Sequence, residues 1–324
     1  MKKYTHAWLA FKAIERLENV EMSGTNRRYA DGLIKWFKDH RDGVIQGAWY
    51  PDAVIKDMAS SHILKMEPSD TETNRFKYLP SAYLIYLLGK KSHLKKRSFS
   101  VNKNNNLPDR CESIAHSVID NLKMQETEHK GSPIAPTDNH VATLLFMLSH
   151  YVADAHMPFH CDSRRFSEGD NLHGHIEKLW DDEIKDFYDI DAENSRFFYD
   201  PAGYPLFKTD PDSDFNQSFL KELKSNLDNR SFSITWGRNN RNVWDFMSAV
   251  CQYSYLHSYA LIPEGYDETN VTSDNWQSLA GQGLSFNEMS VNAFCDAIDS
   301  IARIWFRVWR KYMKWERKQR SKKK

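Results

Sequence analysis

The sequence predicts an all-α fold, a single multi-helix domain over residues 1–324, and three observations carry that expectation. Apolar residues recur every three or four positions through long windows, the spacing that lines one face of a helix. No stretch shows the apolar-polar alternation of a half-buried strand. No internal repeat is visible, which leaves one helical core of roughly eight to ten helices.

Taken in order, residues 5–20 read as an amphipathic helix with Thr5 as its cap and Trp8, Phe11, Ile14 and Leu17 on the buried side. A second helix is expected over about 26–39, ending near Gly43. Residues 47–52 read as a turn, because Pro51 disfavours helix at the residue before it. A short buried helix closed by Gly89 is expected over 79–89. The stretch 90–108 carries six Lys or Arg and no acid, and reads as an exposed, mobile loop. Helical spacing returns over 109–125 through Cys111, Ile114, Val118 and Leu122. Thr137 and Asp138 are cap candidates for a buried helix to 155. Beyond it, 183–230 is partly loop with a helix near 215–228, and long helices follow at 240–262 and 285–318. The helices at 137–155, 240–262 and 285–318 are expected to form the core.

Composition narrows the function classes. Lys plus Arg equal Asp plus Glu at 44 each, so no global charge steers the chain to nucleic acid. The four cysteines lie far apart, without a Cys-x-x-Cys pair, which argues against a thiolate zinc site or a dense disulfide framework. No run reaches the ~18–20 apolar residues of a membrane span. The basic start lacks the apolar segment of a signal peptide, since Lys12, Glu15 and Arg16 interrupt it. The expected compartment is therefore the cytoplasm. The basic helix end, 307–324, holds ten Lys or Arg against Glu316 alone. It reads as a solvated end, with an anionic membrane or nucleic-acid surface as the alternative partner. No obligate protein partner is inferred.

Chemistry concentrates in residues 137–183. His150 and Asp154 are four residues apart and so lie about 40° apart on one helix face. Pro158 ends or bends that helix and lets His160 return toward the same point. His173 and Glu177 again share a face at i, i+4. An Asp deep in an apolar helix is costly unless it is paired or metal-bound. Imidazole and carboxylate are the ligands zinc takes without thiolates, and Asp52 and His62 are natural candidates to complete the set.

The spacing of His150, Asp154, His156, Pro158 and His160 resembles that of the single-strand-specific zinc nucleases and the bacterial zinc-dependent phospholipases C, which share one all-α trinuclear-zinc fold. The start Thr5-His6-Ala7-Trp8 and the turn Tyr50-Pro51-Asp52 look most like the zinc-dependent phospholipase C/D family. The resemblance covers roughly residues 4–183. It implies two or three Zn²⁺ ions. One would be held by Asp52, His62, His150 and Asp154, a second by His160, His173 and Glu177. The third would take His6, Asp154 as a bridge, and the N-terminal amine. Relatives present an N-terminal Trp there, whereas this chain begins at Met1, whose amine is expected to take the role. A rival register, following Trp180-Asp181, would set Glu177 opposite Asp181. His156, His175 and Asp181 are expected behind the ligands or facing substrate.

The activity implied is metal-dependent phosphodiester hydrolysis with Asp52 as general base. A phospholipase C-like reaction is favoured by the His173–Glu177 pair and the start motif. Single-strand nuclease or 3′-nucleotidase activity is the alternative, favoured by the residues after Asp154 and by Trp180-Asp181. A non-catalytic, metal-stabilised binding module is the further one.

Overall fold

The computed structural model describes residues 1–22, 24–69, 98–101, 106–127, 132–234, 242–280 and 284–322. The expected helix at 79–89 and most of the loop at 90–108 lie outside these. The fold is all-α, a multi-helix domain with little strand.

Helix α1 spans Lys3–Asn19 and buries Trp8, Phe11, Ile14 and Leu17. It starts earlier than expected, so Thr5 is not its cap. Lys2 takes that position without a side-chain bond. The free N–H groups of Tyr4 and Thr5 instead donate to Asp181 Oδ1 at 2.9 and 3.0 Å, a cap supplied from another helix. Helix α2 covers Gly24–Val44, running through Gly43 rather than ending there. A 3-10 turn, Ile45–Trp49, leads into a single π-helical turn, Pro51–Ile55. Tyr50 is right-handed helical, φ −56°, against the expectation from Pro51. Pro51 sits at the first position of the turn, where a missing N–H costs nothing.

Helix α3, Leu107–Gln125, opens on a capping box between Asn106 and Asp109. Helix α4, Asp138–Asp154, is capped by Thr137, which accepts from His140 N at 3.1 Å. Helix α5, Leu172–Phe187, is capped by Asn171. Helices α6 (Phe219–Asn229), α7 (Val243–Leu261), α8 (Trp276–Ala280) and α9 (Phe286–Lys322) follow.

The sequence showed no strands, yet two short antiparallel pairs form: β1 (Met66–Ser69) with β2 (Ser98–Val101), and β3 (Ile190–Asp191) with β4 (Arg196–Phe197). They are too short for an alternating pattern to register. The chain entering β1 has a use: Leu64 N donates to His160 O at 3.1 Å and Met66 N to Cys161 O at 2.9 Å. It thereby pins the bend after α4.

Helix α4 lies at the centre, packed by α1, α2, α3 and α9. Helix α9 runs antiparallel to it, with His156 Nε2 3.0 Å from Ser300 Oγ and Trp305 Nε1 donating to Leu145 O at 2.8 Å. Helix α7 is buried along nearly its whole length. No helix among the described residues is long and apolar enough to cross a membrane.

Buried in α7, His257 has its pKa pushed down to about 3, chiefly by burial, with Asp296 opposing and His156 assisting. A free histidine titrates near 6.5, so between that pH and about 3 the unfolded chain binds a proton that the folded chain does not. Stability is full above pH 6.5 and falls on acidification by about 1.4 kcal/mol per pH unit for this group. His257→Phe removes the term. Denaturant unfolding at pH 7 and pH 5 should show the unaltered chain losing about 2 kcal/mol more than the variant.

Candidate metal centre

Five short segments converge at the C-terminal end of α4. Helix α4 supplies His150 and Asp154 from its last turn, and the 3-10 turn Pro158–His160 supplies His160. Helix α1 brings Met1 and His6. The π-helical turn carries Asp52, the 3-10 turn Ala59–His62 carries His62, and the first turns of α5 carry His173 and Glu177.

Three groups of side chains bring one ligand atom each within 4.8 Å of one another: His6, Asp52 and His150; His62, His150 and Asp154; His160, His173 and Glu177. Asp154 faces two ways. Its Oδ2 lies 2.8 Å from His62 Nδ1 and 3.1 Å from His150 Nε2. Its Oδ1 lies 3.2 Å from the Met1 amine, 3.5 Å from His6 Nε2 and 3.8 Å from His160 Nδ1. Asp52 Oδ1 is 3.6 Å from His150 Nε2 and 3.7 Å from His62 Nδ1, so it stands near His62 as well as His6. The Met1 amine also donates to Glu177 Oε1 at 2.6 Å, which links the second group to the rest.

Backbone and hydroxyl partners aim the rings. His150 Nδ1 is 2.9 Å from Ala48 O, and His173 Nδ1 is 2.8 Å from Ser167 Oγ. A proton held on either Nδ1 leaves the Nε2 lone pair facing the centre. Gly47 makes the first contact possible, since a Cβ there would stand 2.9 Å from Thr143 O.

Charge is concentrated and buried. Burial alone would raise the pKa of Asp154, but His150, the N-terminal ammonium and His160 outweigh it and hold the carboxyl well below its usual range. Glu177 is likewise held well below by the ammonium, His160 and His173, against burial. Burial, aided by His150 and the ammonium, pushes His6 well below the usual histidine value. Burial pushes His160 down to about 4.

These donors fit divalent cations. Both ring nitrogens of buried His6, and Nδ1 of His160, have no hydrogen-bond partner. Two nitrogen pairs face each other, His62 Nδ1 with His150 Nε2 at 3.2 Å and His160 Nε2 with His173 Nε2 at 3.0 Å. Lone pairs turned toward a common point, beside ionised carboxylates, are the ligand chemistry of zinc-like ions.

The remaining expected residues make other contacts. His156, in the turn just past the end of α4, has its Nε2 3.0 Å from Ser300 Oγ of α9. His175 follows His173 by two residues, is half-buried near Asp170, and does not line the cavity. Asp181 accepts from Tyr4 N, Thr5 N and Lys185 Nζ, which sets aside the register that pairs it with Glu177. Its part is to hold the start of α1.

The cluster forms the floor of a cavity of about 750 Å³ whose walls include Lys2, Lys3, Trp49, Lys56 and Lys65. Asp52 is half exposed there. No residue pattern points to Ser167 or to the carbonyl of Ala48.

No protein-family description matches the chain, and no curated protein does. Among solved structures, the α-toxin of Clostridium perfringens, from avian strain SWCP, is similar at a TM-score of 0.47 and 15% identity. The match covers 95% of this chain and 63% of that one.

Asp181→Ala should release the first turn of α1 and cost about 1–2 kcal/mol in denaturant unfolding. It should also weaken any divalent-cation binding at the cluster about ten- to a hundredfold, because His6 and the amine lose their position. Asp181→Asn keeps one acceptor and should fall between.

Proposed function

We propose that the chain is a zinc-dependent phosphodiesterase of phospholipase C type that cleaves lipid headgroups. One observation carries this reading: the three ligand groups meet around buried Asp154 at the floor of an open cavity, with Asp52 among them half exposed. Zinc would be held by Asp52, His62, His150 and Asp154, by His160, His173 and Glu177, and by His6, Asp154 and the Met1 amine. Bound there, the ions would neutralise charge on a phosphodiester and lower the pKa of water.

The protein's own groups account for the rest. Asp52 has one oxygen toward His150 and His62, and its exposure lets the carboxylate take a proton from an attacking water. His150 and His173 keep fixed orientations through Ala48 and Ser167, so the site loses little entropy on assembly. Lys2, Lys3, Lys56 and Lys65 give the mouth a positive rim that suits an anionic diester.

The nuclease reading would want aromatic faces for bases. Among the described residues the cavity wall offers only Trp49, which is buried and has Lys3 Nζ over its ring at 5.0 Å. That favours the phospholipid. A purely structural metal module would close its coordination, and the open wall at Asp52 speaks against it.

Chelator-stripped and zinc-reloaded protein should be offered phosphatidylcholine and single-stranded DNA separately. Headgroup release that a chelator abolishes and zinc restores is expected, with little nucleotide release. Asp154→Asn should lower kcat/KM by more than about 100-fold, since it disturbs two groups of ligands together. Nucleotide release alone would shift the protein to the nuclease reading, and no chelator-sensitive activity on either substrate would overturn the enzyme reading.

A further inference from the structure

Three large apolar side chains fall within five residues at the mouth of the cavity: Val54, Ile55 and Met58, exposed by 62%, 47% and 60%. Each would be more stable out of water. Their segment also lines the cavity, through Asp52, Ala53, Lys56 and Asp57. Val54, Ile55 and Met58 are not part of that lining and stand on its outer rim.

Charge surrounds them. Lys2, Lys3, Lys56 and Lys65 line the same mouth. Of the two acids in this segment, Asp52 turns an oxygen toward His150 and His62, and Asp57 accepts from Tyr151 Oη at 2.5 Å and pairs with Arg110 Nε at 3.2 Å, so Asp57 is already neutralised. Apolar side chains ringed by ammonium groups match a phospholipid interface, where the first enter the acyl layer and the second remain with the phosphates.

We propose that residues 53–58 seat the mouth of the cavity on a phospholipid bilayer, with Val54, Ile55 and Met58 inserted and Lys2, Lys3 and Lys56 meeting lipid phosphates. The orientation rests on the phospholipase reading of the site, since it delivers headgroups to the cavity floor. The basic end of α9 cannot serve the same membrane contact. Trp305 bonds to Leu145, and Tyr312 lies in the field of Asp138 at the first turn of α4. That turn is about 24 Å along α4 from Asp154. A bilayer on the basic end would leave the mouth facing away.

The test uses the full zinc-loaded chain and vesicles of two parts phosphatidylcholine to one part phosphatidylglycerol. Sedimentation measures binding, and headgroup release is followed on the vesicles and on monomeric short-chain phosphatidylcholine. The triple variant Val54→Ser, Ile55→Ser, Met58→Ser should bind vesicles about tenfold more weakly and lose vesicle hydrolysis in step. Its hydrolysis of the monomeric lipid should stay within about twofold of the unaltered chain. The double variant Arg310→Glu, Lys314→Glu, at the far end, should bind as before. Vesicle binding that the triple variant retains, or that only the double variant loses, overturns the proposal, as does an unaltered chain that does not bind. If no lipid is hydrolysed but binding still depends on the three apolar residues, the docking surface stands and the phospholipase reading fails.

Discussion

A single buried carboxylate, Asp154, sets the conditions for the rest of the site. It is the last residue of α4, where the helix dipole already places negative charge. An ionised group there, shut away from water, carries a penalty of several kcal/mol unless cationic or hydrogen-bonding groups answer it. The structure answers on both oxygens, with His62 and His150 on one and the Met1 amine, His6 and His160 on the other. Apart from His150, those answering groups come from three other segments. Asp154 is therefore a junction at which the chain's separate pieces are tied.

The other side of that junction is the start of α1. Its N–H groups, the positive end of a helix dipole, meet Asp181 rather than a cap of its own. This lets the two residues before the helix reach into the cluster. Asp181 and Glu177 stand one turn apart on α5, so one helix both anchors α1 and receives its amine. A similar economy appears at Gly47, whose lack of a side chain lets the 3-10 turn press on α4 and bring Ala48 O to His150.

Much of the fold was legible because long helices write their burial at three- and four-residue spacing. Leu17, Val118 and Ile298 fall where that rule puts them. The helix boundaries at Thr5 and Gly43 were not legible, because the cap of α1 is a residue 176 positions away and no local signal encodes it. The two strand pairs escaped for want of length. At the site, the i, i+4 pairs His150–Asp154 and His173–Glu177 were readable from helical geometry alone. Asp52 and His62 could be offered from the residues only as candidates to complete the set, and His6 only through a family resemblance, since their proximity depends on how distant elements pack. His175 follows His173 by two residues on α5 and so takes another face of that helix, while His156 lies in the turn beyond α4. Polar groups that aim a ring, such as Ser167, leave no pattern in sequence.

The central claim is that Asp154 joins ions held on either side of it. The most direct test is a crystal of zinc-loaded protein with anomalous difference density collected at the zinc edge. The account predicts at least two separate peaks, one among His62, His150 and Asp154 and one among His160, His173 and Glu177. Density at neither position, in protein that carries zinc elsewhere or not at all, would contradict it.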